Sequence, residues 1–439
     1  MLNRLLFSKV DNSPLIIFRI FFGILVALEC YGAILTGWVE RTLVAPQFTF
    51  NFIGFEWLQP LPGPGMYIYF IVMGTLGVLI AIGYHYRFAV ISFTLLWTAV
   101  YLMQKSAYNN HYYLLVLISA FMACYPAHRF CSVDAKRHPS IKKNYMPSWV
   151  KWTIVLQLLI VYTYAAIAKL YGDWLDFSMV EVLMSNKADY YVIGSILQEP
   201  WVHKVIGVCG ILFDLLIVPA LLWKPTRKWA FFASIFFHLF NSIVFQIGIF
   251  PYLSLAFTVF FFEAETIRGI FFKKKVLYVD GGIAIPSYKS FLLAGFGIYF
   301  LVQLALPVRH YFFKDAVLWT EEGHRLSWRM MLRSRRGKAN FKVVNNENGN
   351  FTFADTKIYL SKKQRPRVAA YPDFAWQFAQ RLKKEYAEKG ENVSVYVVDS
   401  KISINGRPYR PFLDPEVDLA NEEWNHFNHH EWILPSNLE

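Results

Sequence analysis

Residues 149–170 read WVKWTIVLQLLIVYTYAAIAKL. A helix needs about 20 mostly apolar residues to cross a bilayer, and this run supplies them. It also ends on Lys169, a residue that lipid should reject, so the span carries a functional question with it. Eight more stretches read the same way: 14–36, 66–83, 88–104, 112–125, 203–223, 229–248, 250–263 and 289–307. Two of them, 112–125 and 250–263, are short and are expected to be tilted or partly re-entrant. The first opens at Pro14, is longer than the apolar core of a signal peptide, and lacks a small-residue cleavage site. It is therefore kept as a helix. The whole chain of 439 residues agrees: 55% are hydrophobic and only 17% charged, against about 25% charged in soluble domains.

Lysine and arginine are retained on the cytoplasmic side of membranes. Arg4, Lys9 and Arg87 fall in one set of loops, with Arg129, Lys136, Arg137, Lys142, Lys143 and Lys151. Lys224, Arg227, Lys228, Arg268, Lys273, Lys274, Lys275 and Lys289 join them. The opposite loops hold only Arg41, Lys105 and Lys187. An α-helical polytopic membrane protein of about nine spans, with a cytoplasmic N-terminus, satisfies every loop and places residues 308–439 outside. The net charge of +13 therefore implies no nucleic-acid partner, because the basic residues sit between apolar runs rather than on one soluble face. The four cysteines (Cys30, Cys124, Cys131, Cys209) form no CxxC and name neither a metal site nor a disulfide framework.

Two domains are expected: a membrane part, 1–307, and an outer β-rich domain, 308–439. The second is charged and alternates like strands at 340–344, 351–360, 393–398 and 401–404. Asn348-Gly349-Asn350 and Asp399-Ser400 read as turns between them. One amphipathic helix is expected over Asp373–Lys389, where Phe374, Phe378 and Leu382 recur every four residues and Gly390 can end it.

Ionisable groups inside spans are costly and each needs a reason. Arg19 and Glu29 in the first span read as structural, each meeting a charge or a carbonyl between helices, and Asp214 reads likewise. Lys169 has two readings. One is a lysine extending to the interface; the other is a desolvated lysine, whose ammonium burial disfavours, freeing a neutral amine as base. Tyr164 lines its approach. His238 and Asn241 stand three apart and share a helix face. Beyond them Ile247-Gly248-Ile249-Phe250-Pro251-Tyr252 breaks the helix, which lipid tolerates only where protein or a cavity covers the break. Asn110 and His111 stand at the outer mouth of the fourth span, 112–125. The charge rule puts all of these on the face that carries the outer domain, a fitting place for an amphipathic molecule to meet a water-borne one.

These residues resemble the vitamin K-dependent γ-glutamyl carboxylase family, whose membrane part is the HTTM domain. The matching strings are Asn109-Asn110-His111, Ala168-Lys169-Leu170, Asp173-Trp174, Ser178-Met179 and His238 to Tyr252. In the outer part they are Ser327-Trp328-Arg329-Met330-Met331, Ser334-Arg335, Ser403-Ile404-Asn405-Gly406-Arg407, Asp414-Pro415 and Val417-Asp418. They keep the family's order over most of the chain.

The resemblance implies a reaction. Vitamin K hydroquinone, or menaquinol, is deprotonated and reacts with O2; the basic species formed removes a γ-proton from a peptide glutamate, CO2 adds, and the quinone leaves as its epoxide. No metal is required. Site residues follow from the same resemblance. Lys169 would deprotonate the hydroquinone, and Asn110 and His111 would hold the oxygenated quinone. His238, Asn241, Tyr164 and Phe250 would shape the quinone site. Arg335 and Arg407, with Arg410 nearby, would bind the substrate glutamate, since guanidinium matches carboxylate bidentately. The partners implied are the bilayer, a reduced naphthoquinone and a glutamate-containing peptide or secreted protein. Residues 181–195 depart from the animal pattern, with Ser185 where an arginine is expected. His426, His429, His430 and Glu431 imitate a metal cluster but read as a polar tail. Two other functions fit the same residues: a quinone epoxidase or carboxylase acting on another acid, and a receptor or scaffold that binds peptides without catalysis.

Overall fold

The computed structural model describes residues 2–279 and 281–436. All nine apolar stretches are helical: α1 (Ser13–Leu35), α2 (Gly65–Ile82), α3 (Tyr86–Met103), α4 (Asn110–Cys124), α5 (Trp149–Ile167), α6 (Pro200–Leu222), α7 (Lys224–Phe245), α8 (Phe250–Phe257) and α10 (Lys289–Val308). Seven are long and apolar enough to cross a membrane alone. The two short stretches behave differently. α4 has 15 residues, and at about 1.5 Å per residue falls short of a bilayer core of about 30 Å. α8 continues to Phe260, and then the chain bends by 118° into α9 (Ala264–Phe271). The bend follows from composition, because α9 carries Glu265 and Arg268 in its eight residues and suits an interface better than lipid.

Small residues set how closely the first two spans approach. A Cβ added to Gly23 would lie 2.3 Å from Ala81 N, and one added to Gly77 would lie 2.8 Å from Ala27 N. Close backbone approach of this kind is what holds helices together where lipid removes the hydrophobic drive. Gly23→Leu is therefore expected to cost about 1–3 kcal/mol or more through overpacking, read as a lower unfolding midpoint in detergent. Gly269→Leu, with nothing within 4 Å of its Cβ position, should leave that midpoint unchanged.

Charged residues pin the N-terminal face. Arg19 is fully buried and donates to the carbonyls of Ala127 (2.9 Å) and Cys131 (2.6 Å). It thus meets carbonyls, and does not pair with Glu29. β1 (Lys9–Asp11) pairs antiparallel with β2 (Tyr145–Pro147), and Lys275 bonds to Asp11 at 2.5 Å. The N-terminus, the loop before α5 and the loop before α10 therefore lie on one face.

The opposite face carries the strand-bearing domain. Its sheet runs β4-β3-β5-β6, all antiparallel: β3 (Arg335–Asn345), β4 (Phe351–Phe353), β5 (Val393–Ile404) and β6 (Arg410–Pro411). Between β4 and β5 lie α11 (Gln364–Ala370) and α12 (Pro372–Ala387). Phe374, Phe378 and Leu382 of α12 are buried as the four-residue recurrence requires, against Phe341, Val343, Val395 and Val397. Gly390, at φ +81°, follows the helix end. Two sequence expectations are corrected. Strand structure stops at Phe353, because Asp355 caps a helical turn by accepting from Lys357 N at 2.8 Å. Asp399-Ser400 is no turn between strands either. It lies inside the continuous β5, where Asp399 takes φ +54° and the register slips opposite Lys338 and Asn340, the signature of a β-bulge.

The two parts interlock. Trp328 stacks on Tyr113 of α4 at 4.9 Å, while Phe50, from the loop after α1, packs on Phe374 at 4.9 Å.

Candidate active site

Where the parts meet, a cavity of about 770 Å3 opens between α1, α4, the break before α8 and residues 324–333. Its membrane half is lined by Leu28, Trp38, Leu115, Phe250 and Leu253, with Met330 and Met331 above them. Polar groups interrupt this wall at few places. Asn109 ends the preceding loop and caps α4, its side chain accepting from Tyr112 N at 2.7 Å. That cap places Asn110 and His111 in the first helical turn. Asn110 is buried, accepts from Tyr108 Oη at 2.8 Å, and donates to the Arg329 carbonyl at 2.9 Å. It therefore ties the membrane part to the outer strap as well as lining the cavity.

The His111 ring stacks on Phe250 with centroids 3.9 Å apart and planes 23° from parallel. Phe250 is there because the chain breaks. Gln246 takes φ +51° and Gly248 φ +63°, and Pro251 starts α8. Glu29, read from sequence as structural, lines the same cavity. It accepts from Tyr112 Oη at 2.6 Å and lies 3.4 Å from where a Gly248 Cβ would stand.

Lys169 is not among the residues that line the cavity. It is 7% exposed, so the interface-seeking reading fails. Nζ meets Asp214 Oδ2 at 2.6 Å and the Ala165 carbonyl at 3.2 Å, above the Trp174 ring at 5.4 Å. Asp214 does find a charge partner, and that partner is the lysine singled out as a base. His238 is also buried; its Nε2 is 3.2 Å from Tyr162 Oη, and its ring stands edge-on to Phe250 at 6.3 Å. Its Nδ1 is buried without a hydrogen-bond partner. The Tyr162–His238 pair thus backs onto the wall formed by Phe250 and His111.

Other expected residues fall elsewhere. Asn241 donates to Phe237 O of its own helix at 2.7 Å, and Tyr164 donates to Leu304 O on α10 at 2.9 Å. The Arg335 guanidinium is fully enclosed and donates to Trp319 O at 2.9 Å and to Ala370 O at 2.9 and 2.7 Å. With its donors on carbonyls and Glu321 at 3.5 Å, it braces the domain and presents nothing to the cavity. Arg407 pairs with Asp173, and Asn405 donates to the same carboxylate at 2.7 Å, so they clamp the outer domain to the segment after Lys169. Arg410 donates to Ser436 O at 3.1 Å.

The cations that do line the cavity are Lys105, Arg325, Arg329, Arg333 and Arg367. Lys105 and Arg325 share Asp373, the latter at 2.8 Å, and Arg333 Nη2 donates to Glu321 at 2.5 Å. Burial would raise the Asp373 carboxyl, but Arg325 and Lys105 together hold it below the ordinary value. Burial pushes the Lys105 ammonium down to about 8 against the pull of Asp373. Burial and four neighbouring arginines drive His324 well below the usual imidazole range, so it is neutral at physiological pH. Sequence reasoning named Arg329 only within a matching string and omitted Arg325 and Arg333. Their role depends on a strap folding back over the membrane part, which no local pattern announces.

Three of the four tail residues have partners: His429 Nδ1 lies 2.8 Å from Glu322, His430 packs on Trp424, and Glu431 pairs with Lys314 at 2.7 Å. Among the described residues no three His, Cys, Asp or Glu side chains gather as a metal site.

Comparison with known proteins agrees with this geometry. No solved structure matches the chain. The family model for the HTTM domain matches residues 7–265, and that for the vitamin K-dependent gamma-carboxylase lumenal domain matches residues 288–439. With membrane helices, a lumenal-type domain and a shared cavity between them, the chain belongs to the vitamin K-dependent γ-glutamyl carboxylase family.

Proposed function

We propose that the protein carboxylates the γ-carbon of peptide glutamate and couples this to conversion of vitamin K hydroquinone, or menaquinol, to its epoxide. The observation carrying the reading is the cavity itself, apolar and aromatic on its membrane side and arginine-rimmed on the other. A two-ring lipid suits the first half, where the slot beside His111 and Phe250 accepts a flat ring. A glutamate carboxylate suits the second, where Arg325, Arg329 and Arg333 converge. When bound, the hydroquinone supplies, through oxidation by O2, the driving force to remove a γ-proton that no side chain can remove. O2 and CO2 are the co-substrates.

The chain's own part is proton handling and exclusion of water. Lys169 and Asp214 can hold one proton between Nζ and Oδ2. The 2.6 Å contact lets a proton pass between Nζ and Oδ2 without crossing water. His238 Nε2 and Tyr162 Oη form a second buried polar pair, and the His238 ring stands against Phe250 of the cavity wall. Trp38, Leu253 and Met330 keep bulk water from a reactive base. Arg329, whose guanidinium is partnered among the described residues only by His310 Nε2 at 3.4 Å, with its Nε unsatisfied there, is the cation best placed to receive the substrate. The basic loops joined by the β1–β2 pair and Lys275 support a cytoplasmic N-terminus and an extracytoplasmic outer domain.

The test incubates purified protein with reduced vitamin K, labelled bicarbonate and a glutamate-rich peptide. Label in the peptide with epoxide in proportion is the expected result. Epoxide without label would shift the reading to a quinone epoxidase or a carboxylase of another acid. Neither product from folded protein would leave a peptide-binding receptor or scaffold.

A further inference from the structure

A second groove, of about 750 Å3, lies on the outer domain between β3, α11 and the bulge in β5. Lys338, Lys362, Arg365 and Lys401 line it, with Tyr409 and one carboxylate, Asp399. Lys338 and Lys401 are direct cross-strand partners in the β3–β5 register, and like charges directly opposite destabilise a sheet. Among the described residues none of the four cations has an ion-pair partner, whereas Lys105, Arg325 and Arg333 in the catalytic cavity are all paired. Arg365 adds an Nε that is buried without a hydrogen-bond partner among the described residues. Asp399 accepts from Asn340 at 3.3 Å, and the Tyr409 ring sits 5.1 Å from Lys338 Nζ. The groove thus gathers positive charge at a cost to the fold and balances little of it internally.

The groove adjoins the proposed active site across one helix. α11 is the wall they share: its Arg367 lines the cavity and its Arg365 lines the groove. Along the other wall, Arg333 of the cavity precedes Lys338 of the groove by five positions, at most about 18 Å of extended chain. α11 can lie this close because position 337 is glycine; a Cβ there would stand 2.1 Å from Ala369 O.

We propose that this groove docks an acidic peptide, namely the part of a glutamate-rich substrate adjoining the residue in the cavity. The proposal rests on the glutamate-carboxylase reading and deepens it. Its occupant is set by charge: a substrate bearing several carboxylates, and a product bearing more, meets four cations with apolar rings between them. Peptides too short to span both sites would gain nothing from the groove.

The experiment uses the full-length protein in nanodiscs and the variant Lys338→Gln/Lys362→Gln/Lys401→Gln. For a glutamate-rich peptide of roughly a dozen residues, long enough to reach both sites, KM should rise about tenfold, equal to about 1.4 kcal/mol. kcat should be unchanged, as should the KM of a tripeptide with one central glutamate. Added salt should weaken the long peptide in the wild type and far less in the variant. Fluorescence anisotropy of a labelled oligoglutamate peptide reads the groove without turnover. Failure of the wild type to carboxylate either peptide would therefore sink the catalytic reading, while anisotropy still decides the groove. Unchanged anisotropy and KM in the variant would overturn the proposal. So would a variant that binds the peptide normally but loses affinity for phosphatidylserine vesicles, because the groove would then be a membrane contact.

Discussion

Lys169→Ala should abolish epoxide formation and glutamate carboxylation together, by about 10²–10⁴-fold or more, the range expected when a positioned acid–base group is removed. The loss should fall on kcat, because Lys169 is not among the residues that line the cavity. Asp214→Asn should be nearly as damaging. Amide replaces carboxylate at 2.6 Å from Nζ, so Nζ loses both its proton acceptor and the charge that balances it. The double variant should be little worse than either alone, since two groups that act as one unit lose their function once. Epoxide formation that survives Lys169→Ala in folded protein would end the base assignment. Full activity in Asp214→Asn would spare the lysine but remove the shared-proton pair.

Asp373→Asn should cost about 3–5 kcal/mol, the penalty for stranding buried charge. Asp373 is the common anion for Lys105 and Arg325, and all three are enclosed where α12 meets the membrane part. It also stands in the first turn of α12, where negative charge complements the helix dipole. Over a domain of this size the unfolding midpoint should drop by roughly 10 °C or more, accompanied by faster trypsin cleavage of the outer domain. The pH dependence has a definite sign. The folded Asp373 carboxyl titrates below its ordinary value of 3.8, so its stabilisation is complete above that value and is lost as pH falls through the folded one. Wild type should lose this component on acidification and Asp373→Asn should not. An equal acid sensitivity in both would place the stabilising charges elsewhere.

Legibility followed the range of the interaction. Spans 149–170, 203–223 and 229–248 were readable because hydropathy is a property of consecutive residues, and α12 was readable because Phe374, Phe378 and Leu382 repeat at a helical period. Asp399-Ser400 misled because a bulge and a turn use the same residue types, and only the partner strand distinguishes them. The matching string did not show where Arg335 points: its guanidinium donates to backbone carbonyls of its own domain.

The amino-acid order alone determined the membrane class, the positions of the helices, the break at Ile247–Tyr252 and the family, all of which depend on neighbours in the chain. Tertiary structure decided which charges meet. Lys169 is 45 positions from Asp214, Asn110 is 219 from Arg329, and the arginines of the rim reach the cavity only when a distant strap closes over it. A buried charge must find its partner wherever the fold brings one within a few ångströms, and separation along the chain says nothing of that distance.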